Sequence, residues 1–274
     1  MTPKQKYQSL KAILSGLERV VIAYSGGVDS TFLLKTAVDT LGKDNVLPCI
    51  AVGPSLPQSQ YKQAIQTAKD IGVQVRTVLP DEMSDPAYRA NDGERCYHCK
   101  WHLFEILSKL ARENNFKCVI CGHNVDDNSD YRPGTKAAES FDVQCPLSQA
   151  GLTKEDVRTL SRQLNLPTAD MPASPCLASR ICYGLEITQE RLKQVEQAEE
   201  FLKTLGLVEF RVRHHDTTAR IEVHAKDIEK ITSEPARSQI IAQIKSLGFK
   251  YVTVDLQGFR SGSLNELLGR GRRQ

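Results

Sequence analysis

Residues 19–24 (RVVIAY) form a short apolar run that passes directly into Ser25-Gly26-Gly27-Val28-Asp29-Ser30 and then into a helical pattern, STFLLKTAVDTLG. Strand, glycine-rich turn and helix in immediate succession constrain this chain more than any other feature. The first N–H groups of the helix and its dipole then face outward, where they favour an anion. The two glycines let the backbone come close to phosphate oxygens, and Ser25 and Ser30 add hydroxyl donors. Asp29 would repel a phosphate directly, so its natural partner is a Mg²⁺ ion bridging phosphates. The blander alternative is a plain glycine-rich turn, but the whole hexapeptide in this setting favours phosphate. Neither GxxxxGK[ST] nor GxGxxG is present.

The alternation continues. NVLPCIAVG (45–53), VQVRTVL (73–79) and FKCVICG (116–122) read as further buried strands. Helical patterns run over about 58–71, in WHLFEILSKLAREN (101–114) and in KEDVRTLSRQL (154–164). Strands and helices alternating at this length imply a doubly wound α/β domain, with a parallel sheet covered on both faces. Residues 80–100 read as a long polar functional loop. After about Tyr183 the pattern changes. One long helix (187–206) is followed by period-2 strands VEFRVRHHD and TARIEVH, a helix near 236–247 and a strand KYVTVDL. The expected division is therefore 1–183, α/β, and 184–274, a smaller α+β domain for substrate binding or oligomerisation.

Composition excludes several classes. The chain has 274 residues, 40% hydrophobic and 25% charged, as in ordinary globular proteins. No apolar run approaches the roughly 18–20 residues needed to span a bilayer, and MTPKQKYQSLKAIL lacks both an apolar core of signal length and a small-residue cleavage site. A formal charge of +3 is too small to argue for nucleic acid, and Arg270, Arg272 and Arg273 read as a solvated end.

The eight cysteines are 49, 96, 99, 118, 121, 145, 176 and 182. A chain with its own core needs no disulfide staples, so reduced thiols in a cytoplasmic setting are expected. Cys96-x2-Cys99 and Cys118-x2-Cys121 have zinc-ribbon spacing on paper. Positions i and i+3 of a strand point to opposite faces, however, so Cys118 and Cys121 read as core cysteines. Cys96 and Cys99 lie on a polar loop entering a helix, beside Arg95, His98 and Lys100. Loop packing and a redox or substrate-contacting role are both open for them. Cys176 sits in Ala173-Ser174-Pro175-Cys176-Leu177-Ala178-Ser179-Arg180, a proline-bounded loop in which Arg180 would help stabilise a thiolate.

The SGGVDS hexapeptide resembles the PP-loop of the ATP pyrophosphatase superfamily. More narrowly, Pro172 to Arg180 followed by Tyr183-Gly184 resembles the cysteine loop of the ATP-dependent sacrificial sulfur transferases of the LarE family. So do Arg95-Cys96-Tyr97-x-Cys99-Lys100, Gly122-His123-Asn124-x-Asp126-Asp127 and Asp130-Tyr131-Arg132-Pro133-Gly134. Gly151-Leu152-Thr153-Lys154, Arg211-Val212-Arg213 and Ala219-Arg220-Ile221-Glu222 fit as well. The resemblance runs from about Leu17 to Leu256.

It implies an enzyme that takes ATP, Mg²⁺ and a pyridinium biscarboxylic acid mononucleotide. A ring carboxylate is adenylylated, a cysteine thiolate displaces AMP, and Cβ–S cleavage leaves a thiocarboxylate on the substrate and dehydroalanine on the protein. Repeated on the second carboxylate, this makes the dithio ligand of the nickel-pincer nucleotide cofactor of lactate racemase. Cys176 carries over as sulfur donor and residues Ser25, Gly26, Gly27, Val28, Asp29 and Ser30 as the phosphate loop, with Asn124 and Asp127 beside the nucleotide and Asp29 on the metal. Trp101, Ser179, Arg180, Arg211 and Arg213 are carried over as substrate-binding. Arg211 and Arg213 alternate about Val212 and share one face of their strand, which suits phosphate or carboxylate. A solvated face paired with Glu209 or Glu222 is the alternative. Trp101 can stack on a flat ring or belong to the core. Asp126, Asp127 and Lys100 are candidate general bases.

One departure from the family is Cys182, where proline is expected in Arg180-Ile181-Cys182-Tyr183-Gly184. A persulfide relay, a resolving thiol or no role are open for it. An iron–sulfur cluster would need Cys176, Cys182 and a distant residue such as Cys145, Cys96 or Cys99, so the sacrificial route is preferred. The expected partner is a small nucleotide substrate, with neither nucleic acid nor membrane. The C-terminal domain, with mixed charge and apolar strands, suits a homo-oligomer. The rival readings are another PP-loop adenylylating ligase or a tRNA thiolation enzyme, and a nucleotide-sensing protein with a degenerate loop.

Overall fold

The structure, a computed structural model, describes residues 1–128, 133–260 and 262–268. Asp130, Tyr131 and Arg132 of one motif, and the basic tail with Arg270, Arg272 and Arg273, lie outside the described residues. The chain divides into two compact units. One comprises Met1–Glu82 with Cys96–Ser174, the other Met83–Arg95 with Pro175–Gln274. The change of pattern near Tyr183 thus falls inside the second unit.

The first unit is built on four parallel strands, β1 (Val20–Ala23), β2 (Val46–Ala51), β3 (Arg76–Val78) and β4 (Cys118–Cys121), in the order β3-β2-β1-β4. Val20 pairs with Val46 on one side and Cys118 on the other. Because side chains alternate along a strand, β1 feeds two cores. Val20 and Ile22 pack with Leu10, Leu14, Phe32, Leu34 and Leu160, from helices Pro3–Leu17, Val28–Leu41 and Lys154–Gln163. Val21 packs with Phe104 and Leu107 of helix Arg95–Glu113 and with Ala137 and Ala138 of helix Pro133–Ser140 on the opposite face. Both sheet faces are therefore covered, as a parallel sheet requires. The strand order reverses direction of growth between β1 and β4. In such sheets that is the point outside the carboxyl ends of the strands where ligands bind. The segments leaving these two strands carry the SGGVDS and Gly122-His123-Asn124 motifs.

Cys118 packs toward the first core and Cys121 toward the second, so the two thiols do point apart. Residues 80–100 differ from a long loop. They contain turns of helix at Glu82–Ser84 and Pro86–Arg89, and the next helix begins at Arg95. Asp85 accepts a hydrogen bond from the Ala87 N–H at 2.8 Å and Pro86 follows it, a helix-start signal inside a polar stretch. Cys96 and Cys99 are consequently helical.

The second unit holds β5 (Phe210–His215), β6 (Thr218–Val223) and β7 (Tyr251–Val254), with β5 antiparallel and β7 parallel to β6. Helices Gln189–Thr204 and Ala236–Ser246 cover one face through Ala198, Leu202, Ile240 and Ile244, which pack on Val212, Ile221 and Val223. Among the described residues no helix is long and apolar enough to cross a membrane.

Candidate functional site

In the first unit the phosphate loop is shaped by a close approach. Gly26 has φ +73°, and a Cβ built on it would lie 2.4 Å from the Cβ of Ala64. Gly122, at the exit of β4, faces the loop in the same way, since its Cβ would lie 3.0 Å from the Ser30 nitrogen. Strand end, loop and helix start can meet only because these positions lack side chains. Gly27 caps helix Val28–Leu41 without a side-chain hydrogen bond, which leaves the first-turn N–H groups for a ligand. Ser25 and Ser30 are joined Oγ to Oγ at 3.0 Å, and the Ser30 hydroxyl donates to the Gly27 carbonyl at 3.2 Å. Gln60 holds the loop from outside, donating to the Ser25 carbonyl at 3.2 Å.

Asp29 points toward the segment after β4. Its Oδ1 accepts from Asn124 Nδ2 at 3.3 Å and its Oδ2 forms an ion pair with Lys154 Nζ. Asp127, 8% exposed, accepts from the Asn124 N–H at 3.0 Å. Asp126 accepts from the Lys154 N–H at 2.8 Å. Both carboxylates thus fix the backbone that presents Asn124 and Lys154. Ser25, Ser30, Asp29, Asn124 and Asp127 come together as one constellation. Lys154, placed in a motif by sequence but given no role, supplies its cation. Thr153 and Asp156 form a capping box that starts the helix at Lys154, and that signal was available in the sequence.

Trp101 is half-buried against the second core, edge-on to Phe141 with centroids 5.6 Å apart. Lys100 lies over the Phe104 ring at 5.7 Å. Cys96 is exposed and Cys99 half-buried.

The second unit arranges charge around the cysteine loop. Cys176 precedes a single turn, Leu177–Arg180, and its carbonyl accepts three hydrogen bonds. They come from the Ser179 N–H at 3.0 Å, the Ser179 hydroxyl at 2.7 Å and Arg180 Nη1 at 3.1 Å. Arg180 is 3% exposed and meets Glu199 through two bonds, Nε–Oε1 at 3.0 Å and Nη2–Oε2 at 3.2 Å, while Nη1 also reaches the Pro175 carbonyl. The sequence expectation had this guanidinium stabilising the thiolate. Its hydrogen bonds go to Glu199, to the Ser179 hydroxyl and to the Pro175 and Cys176 carbonyls.

Arg211 and Arg213 share one face of β5, but that face is buried rather than solvated. Arg213 binds Glu222 at 2.8 Å, the Ser179 carbonyl at 3.1 Å and Ser263 Oγ at 3.0 Å. Glu222 is fully buried and also takes Arg220 at 2.9 Å. Arg211 lies 4.9 Å from the Phe259 ring. Burial pushes its pKa down to about 10, with the Arg180 guanidinium adding to the shift and Glu199 opposing it. Three guanidiniums, Arg180, Arg211 and Arg213, share the buried carboxylates Glu199 and Glu222. Guanidinium forks of this kind suit phosphate or carboxylate. Glu199, Ser263 and Phe259 were not anticipated. They lie far from the motifs in sequence and carry no local signature.

Burial pushes Cys182 up, with Arg220 opposing, and burial pushes Cys49 up to about 12. Cys121 is held well below the usual thiol range by the Cys145 hydrogen bond, then by His123, against the desolvation of its buried site. The Cys145 thiol is raised in step, because it keeps the proton and lies beside that sulfur.

Comparison with known proteins adds three relatives and one family. The NAD synthase family model matches residues 6–98. The uncharacterized protein slr1717 of Synechocystis is 41% identical over 97% of this chain and 98% of its own. The pyridinium-3,5-bisthiocarboxylic acid mononucleotide synthase of Lactiplantibacillus plantarum is 36% identical over 96% of this chain and 95% of its own. The uncharacterized protein MJ0830 of Methanocaldococcus jannaschii is 34% identical over 89% and 92%.

Proposed function

The chain belongs to the LarE family of PP-loop, ATP-dependent sulfur transferases, and we propose from that premise that it adenylylates a pyridinium-3,5-biscarboxylic acid mononucleotide and replaces the activated oxygen with sulfur from Cys176. The carboxylate oxygen attacks the α-phosphorus of ATP, and pyrophosphate leaves. The Cys176 thiolate attacks the acyl carbon, and AMP leaves. A base removes the Cys176 α-proton, the Cβ–S bond breaks, and the sulfur departs with its electron pair as the thiocarboxylate. Dehydroalanine remains at residue 176, so each chain supplies one sulfur.

The observation that carries this reading is the triple hydrogen bond to the Cys176 carbonyl. Removing a Cα proton throws negative charge onto that same oxygen. Preorganised donors aimed at a site of developing charge lower the barrier to forming it, and one donor here is itself a cation. Arg180 then serves the elimination rather than the thiolate, and Glu199 holds it in place. The raised Cys182 thiol is a poor candidate for a relay at neutral pH, since the thiolate is the reactive form. The sacrificial route needs Cys176 alone, and no step is assigned to a cluster.

Arg211 and Arg213 are assigned to the substrate's phosphate or carboxylates, and the loop from Ser25 to Ser30 to the phosphates of ATP. A single carboxylate, Asp29, is a sufficient protein ligand for Mg²⁺, which is bound largely through substrate phosphates. Bound there it would neutralise phosphate charge, and Lys154 would be released toward the same anion.

The test is intact-protein mass after incubation with ATP and the mononucleotide. The expected result is loss of the elements of one hydrogen sulfide, mapped to residue 176, with AMP and pyrophosphate as nucleotide products. Cys176→Ala should release pyrophosphate but transfer no sulfur. Unchanged protein mass after many turnovers, or ADP as the main product, overturns the proposal.

A further inference from the structure

The segment that continues β4 brings together three side chains that sulfur transfer does not use. Gln144 pairs with the edge of β4. The Cys121 N–H donates to the Gln144 carbonyl at 2.9 Å, and the Gln144 N–H donates to the Val119 carbonyl at 2.9 Å. Cys145 is thereby set beside Cys121, and their sulfurs are 3.5 Å apart. His123, two residues beyond Cys121, places Nδ1 3.9 Å from the Cys145 sulfur. The three ligand atoms lie within 4.8 Å of one another.

We propose that Cys121, His123 and Cys145 form a binding site for one thiophilic divalent cation of the zinc class. Zinc takes thiolate at about 2.3 Å and imidazole at about 2.0 Å in a tetrahedron, which sets ligand-to-ligand edges of roughly 3.5–3.8 Å. The two separations at Cys145, 3.5 Å to Cys121 and 3.9 Å to His123, are near those edges before any adjustment to an ion, and all three ligand atoms lie within 4.8 Å of one another. Two sulfurs and one imidazole suit zinc over Mg²⁺ or Ca²⁺, which take oxygen. Three protein ligands leave a fourth position for solvent. Cys121 is anchored in β4 and 4% exposed, so one corner of the site is rigid.

The position gives the ion a mechanical effect. His123 immediately precedes Asn124, whose side chain donates to Asp29. An ion on Cys121 and Cys145 would clamp the exit of β4 at the base of that contact. The inference does not depend on the sulfur-transfer reading, and its test reads metal rather than turnover.

The full chain, stripped of metal and kept reduced, is titrated with Co²⁺ alone. The expected result is one equivalent bound, with a thiolate-to-metal charge-transfer band and the visible bands of tetrahedral cobalt, displaced by Zn²⁺. Cys145→Ser should halve the charge-transfer intensity. His123→Gln, which keeps both thiols, should weaken binding by about tenfold or more. The double variant Cys96→Ser/Cys99→Ser should bind as the native chain does. If Cys121→Ser fails to fold, the Cys145 and His123 variants still decide the matter. Absence of the band in the native chain, its persistence in Cys145→Ser at full intensity, or its loss in the Cys96/Cys99 variant overturns the proposal.

Discussion

The phosphate loop of the first unit and the arginine face of the second both offer a place to an anion, but they are built from opposite materials. The loop uses glycine backbone, two hydroxyls and the free N–H groups of a helix start, with one cation, Lys154, already paired to Asp29. The arginine face uses buried guanidiniums balanced on buried carboxylates. A site of the first kind keeps its geometry through close backbone approach. A site of the second kind keeps it because each charge would be costly to leave alone. The two should therefore break differently.

The largest effect is expected at Glu199. Glu199→Gln removes the countercharge of Arg180, and losing one partner of a buried pair costs about 3–5 kcal/mol. Urea unfolding should show it. The double variant Glu199→Leu/Arg180→Met should recover most of that stability, since replacing both partners by apolar groups is often near neutral, yet transfer no sulfur. A double variant as unstable as Glu199→Gln would show that the pair is not what the face depends on.

Next comes Gly26→Ala. It must relieve a 2.4 Å approach to Ala64 at φ +73°, and the strain is on the order of 1–3 kcal/mol. ATP affinity should fall with stability. Gly27→Ala is the control, since its added Cβ meets only the Ser25 hydroxyl, at 3.5 Å. Equal losses for both variants would refute close approach as the reason for Gly26.

Asp29→Ala should separate function from stability. The Asp29–Lys154 pair is partly exposed, at 23% and 37%, and such pairs contribute about 0–1 kcal/mol. Unfolding should barely change while pyrophosphate release is lost. A large stability change with release intact would reassign Asp29 to a structural role.

The same contrast explains what was legible beforehand. The four strands, the phosphate loop and the opposite facing of Cys118 and Cys121 follow from local pattern, because strand period and loop letters lie in contiguous sequence. The partners of Arg180 and Arg213 do not. Glu199 lies on a helix and Ser263 some fifty positions along, and only tertiary packing brings them in. The meeting of Cys121 with Cys145 depends on the bridge through Gln144, which spacing rules cannot see. The helix over Pro133–Ser140 was missed because PGTKAAES offers only two alanines as an apolar face. The alternative of a solvated face for Arg211 and Arg213 does not hold, because charged side chains on that face of β5 are buried by pairing and burial there covers nearly every residue.

The smallest effect concerns acid. His214 on β5 is 2% exposed, its Nε2 lies 2.9 Å from Gln194 Oε1, and its ring is 4.8 Å from that of Phe249. Burial pushes its pKa down to about 4, Arg191 and His215 add to the shift, and Asp216 opposes it. Its neighbour His215 is lowered in the same direction, by burial first and Arg220 next, with Glu222 opposing. An unfolded histidine takes its proton near pH 6.5. Above about pH 6.5 both states are neutral at this site and stability is unaffected. As pH falls from about 6.5 to 4 the unfolded chain binds protons that the folded chain refuses, so stability falls. In the first unit Asp156 responds lower. Burial alone would raise its pKa, but hydrogen bonds from Lys6 and Thr153 bring it below 3.8. Its contribution is present above that value and fades only beneath it. Hydrogen exchange at about pH 5 should therefore loosen β5 and β6 relative to about pH 7 while β1 and β4 hold, and His214→Gln should flatten part of that response. If the first unit loosens equally over that range, or if replacing both histidines leaves the pH response unchanged, acid sensitivity does not come from the buried face of β5.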